Sequence, residues 1–169
     1  SNTERYALLG SAYKRLAMIL LQQNQAWPSI ETALRASLKA YSDAEGTELN
    51  AKLKAYPLIN RLQLTAVLNQ IDPLKFFELL DRAHTAVRAQ FLESNDFFDA
   101  AMSADIDITR FLANEEITHS HADFIQLYVE AIRDVATTAR NFNSVVQQLR
   151  ILAQLLSVAA KHLHQTNNK

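Results

Sequence analysis

The sequence has no cysteine, and only two glycines and three prolines among its 169 residues. The lack of cysteine excludes disulfides, thiolate catalysis and zinc sites with cysteine ligands. Because glycine and proline are scarce, and Asn-Gly and Asp-Gly pairs and period-two alternation are missing, a sheet built on tight turns is excluded as well. Leu, Ala, Gln and other good helix formers are common instead, so the sequence predicts an all-α fold.

Neither sign of charge dominates, since 17 Lys and Arg stand against 18 Asp and Glu. This balance argues against a dedicated nucleic-acid or membrane-surface module, and we expect neither partner. The densest apolar run, AMILL at 17–21, is much shorter than a membrane span, and no signal peptide is recognisable. These features lead us to expect a cytoplasmic protein.

The length predicts one domain with a substantial core. Ser1 and Asn2 resemble the remnant of a cleaved purification tag, and we interpret the chain as an excised piece of a longer protein. The expected division is a single helical domain over 3–165 and a frayed polar tail over 166–169.

Apolar residues recur at three and four positions along most of the chain, which predicts about seven antiparallel helices. The first four are predicted over 4–23, 28–46, 57–70 and 73–93, with Pro28, Pro57 and Pro73 in first turns. A fifth helix is predicted to end near 113 and a sixth, capped by Thr118 or Ser120, near 139. The seventh is predicted to begin after 141–144 and to end near 164.

The helices carry a degenerate tetratricopeptide (TPR) pattern. In the first helix, the aromatic-x2-Leu-Gly-x2-Tyr spacing is matched by Tyr6, Leu9, Gly10 and Tyr13. The small residues of a second repeat helix are matched by Ala33, Ser37 and Ala40. Weaker matches to the first-helix pattern occur at Tyr56, Ile59 and Asn60 and at Phe97, Ala100, Ala101 and Ala104. A weaker match to the second-helix pattern occurs at Phe124, Tyr128 and Ala131. The pattern predicts a TPR-like right-handed α-solenoid of three helix pairs and a C-terminal capping helix.

Gly10 lies in YALLGSAYKRLA beside Ser11 and Lys14, a combination that also occurs in phosphate-binding loops. A P-loop, however, needs a second glycine and a strand before it, and neither is found here. A glycine in mid-helix costs about 1 kcal/mol relative to alanine. We therefore predict that Gly10 permits a close helix crossing.

The seventh helix has an apolar face and a polar face. The apolar seam comprises Val145, Leu149, Leu152, Leu156, Ala159 and Leu163. The polar stripe comprises Gln147, Arg150, Gln154, Ser157, Lys161 and His164. A polar outer face is typical of the terminal element of a repeat stack. A coiled-coil or dimer seam remains the alternative.

The histidines do not have chelating spacing. The pairs His119 and His121, and His162 and His164, are two residues apart, which points them to different helix faces. The Glu116-x-x-His119 spacing of di-iron bundles occurs once, whereas those sites need it on two helices. We predict no metal, no cofactor and no catalytic residues, and no nucleophile elbow is present.

The better candidates are polar residues on helices that should line a concave groove. They are Ser11, Lys14, Arg15, Asn60, Arg61, Asp105 and Gln148, with Thr65, Asp99, Met102 and Arg150 as further groove positions. Several cations beside amides can hold a phosphate or carboxylate by charge-assisted hydrogen bonds. A solvated face is the alternative for any single residue.

Four segments in order, GSAYKRLA, YPLIN, FFDAAMSADIDITRFL and FNSVVQQLRILAQLL, resemble the tetratricopeptide repeat-sensor (TPR-S) family. The likeness extends from Tyr6 to Leu156, and the first two segments are its most specific parts. The Trp that often precedes the alanine-rich stretch is replaced here by Phe97 or Phe98.

The resemblance implies a bacterial sensor region joined to an effector domain of the same polypeptide, such as a caspase-like peptidase or a TIR domain. It implies a ligand, with nucleotide-derived molecules proposed, and a ligand-binding role for Ser11, Lys14, Arg15, Asn60 and Gln148. A related repeat region is thought to regulate stress-activated kinases.

Two functions follow as hypotheses. The first is a non-enzymatic sensor that binds a small anionic ligand in the groove and relays this to the attached effector. The second is a TPR-type scaffold that binds a peptide or a partner helix. An enzyme would need catalytic residues that the sequence does not offer.

Overall fold

The computed structural model describes residues 2–46, 55–113, 121–133, 135 and 137–167, with side chains except at 46, 121–124, 166 and 167. These residues form seven α-helices and no strand: α1 (Asn2–Gln22), α2 (Trp27–Gly46), α3 (Ala55–Val67), α4 (Pro73–Ser94), α5 (Phe97–Ala113), α6 (His121–Ile132) and α7 (Ala139–Asn167). The all-α class and the helical-repeat architecture are as predicted. The predicted caps Thr118 and Ser120 and the side chains of His119, His121 and Phe124 lie outside this description.

The boundary between α6 and α7 differs from the prediction. The sixth helix was expected to reach 139, but Ala139 begins α7. The reason is an N-cap at Thr138, whose Oγ1 accepts a hydrogen bond from the Asn141 amide at 3.2 Å. This satisfies one of the free donors of the first turn of α7. The last helix also continues to Asn167, beyond the predicted end near 164.

Three helices end at an asparagine with left-handed backbone geometry: Asn24, Asn69 and Asn95, with φ of 54°, 52° and 49°. After α1, the amides of Asn24 and Gln25 donate to Leu21 and Leu20 carbonyls at 3.0 and 2.9 Å. This is the Schellman arrangement, which normally uses glycine. Because the chain has so few glycines, asparagine supplies the turn, which also explains why α3 ends before the predicted residue 70.

The start of α4 and the α4–α5 junction match the prediction in outline. Asp72 precedes Pro73 in extended conformation, although its side chain makes no cap hydrogen bond. Asp96 caps α5 by accepting the Phe98 amide at 2.8 Å. Asp99, a predicted groove residue, instead accepts hydrogen bonds from Ser94 and Gln90 at 2.5 and 2.7 Å. Its carboxylate is therefore used to hold α4 against the start of α5.

The close crossing of α1 and α2 occurs at Gly10. A Cβ on Gly10 would lie 2.9 Å from the ring of Tyr41 on α2, a fully buried side chain. Ser37, also buried, donates to the Gly10 carbonyl at 2.7 Å. The packing interpretation of Gly10 is confirmed.

The helix α7 packs across α2, α3 and α5. Leu152, Leu155 and Ala159 are buried there in one core with residues of α1, α2, α3 and α5. The predicted polar stripe is exposed along its whole length. The most buried α7 residue, Leu155, is 1% exposed and was not in the predicted seam. The apolar face of α7 is thus used within the chain, where it packs on α2, α3 and α5.

Candidate functional site

The candidate site centres on the side chain of Lys14, which is 9% exposed. The residue lies one turn after Gly10 in α1, on the face that the close α1–α2 crossing turns inward. Its ammonium donates to Asn60 Oδ1 on α3 at 2.5 Å and to Gln148 Oε1 on α7 at 2.8 Å. We call these three residues the Lys14 cluster. It joins the first, third and last helices of the chain.

The orientation of the Asn60 amide is fixed by its own helix. Its Nδ2 donates to the Tyr56 carbonyl one turn earlier at 2.9 Å. The opposite end of the amide, Oδ1, must therefore face Lys14. Since Asn60 is only 6% exposed, it acts as a rigid acceptor for the lysine.

Both acceptors of Lys14 are neutral, and no carboxylate of the described residues lies within ion-pairing distance of its ammonium. Burial is the largest influence and lowers the pKa of Lys14 to about 8. The charge of Asp105 opposes this shift, while the positive charge of Arg15 adds to it. The ammonium is therefore protonated at neutral pH but poorly compensated.

Asp105 on α5 lies close enough to act on Lys14 electrostatically, but its hydrogen bond is to Tyr128 on α6. The Tyr128 hydroxyl donates to Asp105 Oδ1. Burial raises the pKa of Asp105, and the Tyr128 hydrogen bond and the Lys14 charge work against that rise. Tyr128 was assigned only to packing in the sequence, although a buried tyrosine hydroxyl needs a partner and so gives a usable signal.

Arg15, which follows Lys14 in α1, has an exposed side chain. Within the described segments no hydrogen-bond or ion-pair partner is found for its guanidinium. Its charge still lowers the pKa of Lys14. The chain therefore has two consecutive cations here, one buried and one exposed, whose charges repel each other.

Ser11 and Arg61 belong to separate contacts. Ser11 Oγ lies 3.0 and 3.1 Å from the hydroxyls of Tyr41 and Tyr56. Arg61 forms a bidentate ion pair with Glu45 of α2, at 2.6 and 3.0 Å. The structure therefore brings together Lys14, Asn60 and Gln148, with Arg15 and Asp105 nearby, but not Ser11 or Arg61.

The other predicted groove positions are also engaged elsewhere or exposed. Thr65 donates to the Arg61 carbonyl at 2.9 Å, Met102 is buried in the core between α3, α4 and α5, and Arg150 is exposed. No group of three or more metal-ligating side chains occurs in the part of the chain that the structure describes. His162 stacks on Trp27 with ring centroids 5.5 Å apart.

The space around the Lys14 cluster is small. A cavity of about 10 Å³ is lined by Lys14, Asn60, Gln63, Leu64, Gln148, Ile151, Leu152 and Leu155. A volume of that size is comparable to that of one water molecule. Four of these residues come from α7, which therefore closes the site.

The fold and site define the class of protein: an all-α helical-repeat domain with a buried polar cluster between α1, α3 and α7. The family model of the Tetratricopeptide Repeats-Sensor (TPR-S) family matches residues 1–65, which confirms the predicted resemblance over that part of the chain. The matched part contains Lys14, Arg15 and Asn60, whereas Gln148 lies outside it. No curated protein and no solved structure shows a significant match to the chain.

No helix among the described segments has both the length and the apolar content needed to cross a membrane.

Proposed function

We propose that this domain is a regulatory sensor that binds an anionic ligand at Lys14 and Arg15 and relays binding to an effector domain of the same polypeptide. The observation that carries the proposal is the buried Lys14 ammonium, whose hydrogen-bond partners are two neutral amide oxygens. The match of residues 1–65 to a sensor family supports the same role.

The electrostatics favour an anion over other ligands. A buried cation is costly unless an opposite charge compensates it, and Lys14 has no direct counter-ion among the described residues. A phosphate or carboxylate at this position would supply that charge and would form charge-assisted hydrogen bonds. Arg15 would extend the contact at the surface, because its planar guanidinium can bind an oxyanion through two N–H groups.

The ligand class is proposed from two sources. The charges of Lys14 and Arg15 support an anionic group, and the TPR-S resemblance adds nucleotide-derived molecules as the first candidates. Helical-repeat folds present extended binding surfaces. We therefore propose binding for this domain and assign no reaction to it.

The test is calorimetry of the chain against nucleotides, pyrophosphate and small carboxylates, with the double variant Lys14→Met/Arg15→Ala. Losing a hydrogen bond to a charged group removes about 1.5–3 kcal/mol. We therefore expect the affinity to fall by roughly 10- to 100-fold or more. A double variant that binds every detected ligand as tightly as the wild type would show that the site is wrong.

The matched control is Arg35→Ala/Lys39→Ala on α2. It removes the same net charge from exposed residues that are paired with Glu31 and Asp43. A general electrostatic attraction of anions to the domain would weaken in both double variants. Binding at a specific site would weaken only in Lys14→Met/Arg15→Ala.

A second candidate function is a scaffold for a partner helix. It is favoured by α7, which already lies as an amphipathic helix against α2, α3 and α5. A partner helix with the same apolar spacing could take the place of α7 on this surface. Co-purification with the effector domain of the longer protein tests this: a stoichiometric peptide partner, without stabilisation by any small anion, would favour the scaffold over the sensor.

A further inference from the structure

The Lys14 cluster has no room for a ligand while α7 is in place. Its cavity of about 10 Å³ is lined partly by Gln148, Ile151, Leu152 and Leu155 of α7. A phosphate or carboxylate group is larger than the single water that such a volume accommodates. An anion that binds the Lys14 ammonium inside this cavity must therefore displace part of α7.

The attachment of α7 is suited to such a displacement. The side chains that it buries are Leu152, Leu155 and Ala159, which follow each other on one face. The other helices also pack on one another, since α1 contacts α2, α2 contacts α3 and α3 contacts α5. Release of α7 would expose its apolar stripe and the side chains that this stripe covers, such as Leu64, and would leave the other helices in contact.

The contact between Gln148 and Lys14 makes this displacement depend on the ligand. The amide oxygen of Gln148 and an incoming oxyanion would accept a hydrogen bond from the same ammonium, 2.8 Å from Gln148. A charged acceptor forms the stronger hydrogen bond. The ligand therefore binds the released state better than the closed one, which is the condition for a ligand to shift a conformational equilibrium.

We propose that α7 is a latch over the Lys14 site, held closed by the Gln148–Lys14 hydrogen bond and opened when an anionic ligand takes the place of the Gln148 amide. The opening by ligand rests on the proposed sensor function. The closure of α7 by Gln148 does not rest on that function, and it is tested without any ligand.

Hydrogen exchange of the α7 amides in the full chain measures closure directly. The variant Gln148→Ala is expected to accelerate exchange in α7 by roughly ten-fold, as expected for the loss of a hydrogen bond to a charged group. The variant Gln148→Glu supplies its own carboxylate to Lys14 and should slow exchange below the wild-type rate. If residue 148 contributed only by packing, Gln148→Glu would not slow exchange below the wild-type rate.

Gln147 provides the matched control, since it is the preceding residue and points to solvent. Gln147→Ala and Gln147→Glu should leave exchange within about two-fold of the wild type. In a Lys14→Met background, Gln148→Glu should lose its protective effect. The latch is overturned if the Gln147 and Gln148 variants behave alike, or if Gln148→Glu protects equally well without Lys14.

Trp27 gives an independent signal for the far end of α7. It is the single tryptophan of the chain and stacks on His162 of α7 with an interplanar angle of 25°. Opening of the latch separates the two rings, so Trp27 emission should change when a ligand holds the latch open, and the unliganded Gln148→Glu variant should keep the wild-type spectrum.

Titration with inorganic pyrophosphate, the smallest probe with the proposed chemistry, tests opening by ligand. Gln148→Ala should bind it about ten-fold more tightly than the wild type, and Gln148→Glu more weakly, with a change in Trp27 emission at saturation. Wild-type binding with unchanged emission and equal affinity in all variants would overturn the latch. If pyrophosphate binds none of them, the anion-sensor function fails for this probe, and the exchange rates alone decide the latch.

Discussion

The ring of Tyr41 occupies the space in which any side chain at position 10 would have to stand. A Cβ on Gly10 would approach Tyr41 Cδ1 and Cε1 to 2.9 Å. Tyr41 is fully buried, and its hydroxyl lies 3.0 Å from Ser11 Oγ. This contact sets the distance between α1 and α2, and with it the inward position of Lys14 one turn further along α1.

We predict that Gly10→Ala destabilises the domain, although alanine is the better helix former by about 1 kcal/mol. Overpacking against a rigid ring costs about 1–3 kcal/mol, which outweighs the helical gain. Urea denaturation should show a lower unfolding midpoint.

A double-variant cycle provides the control for this prediction. In the background Tyr41→Leu, which removes the ring, Gly10→Ala should become neutral or stabilising. Equal effects of Gly10→Ala in both backgrounds would mean that the Tyr41 contact is not the reason for the glycine.

Local features of the helices could be predicted from the sequence, whereas the partners of individual side chains could not. Gly10 could be interpreted because a lone mid-helix glycine has few explanations. The Thr138 cap was missed because a threonine before Ala-Arg-Asn is a weak signal, and its role depends on where α7 docks. Arg61 was placed in the groove by helical spacing, but spacing could not show that Glu45, sixteen residues earlier, neutralises it.

The Arg61–Glu45 pair should contribute measurably to the joining of α2 and α3. Its side chains are 21% and 18% exposed, and the two hydrogen bonds are bidentate. A double-variant cycle with Arg61→Met and Glu45→Gln should give a coupling of about 1–2 kcal/mol. The exposed Lys39–Asp43 pair, at 75% and 38%, should give no more than about 0.5 kcal/mol in the same assay. Equal couplings in the two cycles would contradict the structural role assigned to Arg61.

Tyr128→Phe should destabilise the packing of α6 on α5. The variant keeps the ring but removes the hydroxyl that donates to Asp105, leaving a buried carboxyl with one partner fewer. The expected cost is about 1–3 kcal/mol in the free energy of unfolding. The exposed neighbour Val129, changed to Ala, serves as the control and should change stability by about 0.5 kcal/mol or less.

Removal of the Tyr128 hydroxyl should also alter the titration of Asp105. Burial already raises the pKa of this carboxyl, and the Tyr128 hydrogen bond opposes the rise. In Tyr128→Phe the pKa should therefore rise further, as measured by carbon NMR of the labelled carboxyl. An unchanged or lower Asp105 pKa would show that the hydrogen bond does not stabilise the ionised form.

The stability of the domain should rise with pH through the titration of Lys14. Burial lowers the pKa of Lys14 from 10.5 to about 8 in the folded protein. Between these two values the unfolded chain holds the proton that the folded chain has released, so the free energy of unfolding increases with pH. The gain is complete near pH 10.5 and, at 1.36 kcal/mol per unit, amounts to roughly 3 kcal/mol.

The measurement is the difference in unfolding free energy between the wild type and Lys14→Met from pH 7 to 10.5, in which other titrating groups largely cancel. The wild type should gain relative to the variant as the pH rises above 8. A constant difference between the wild type and Lys14→Met would mean that water solvates the ammonium, and a solvated ammonium would remove the electrostatic reason for an anion at this site.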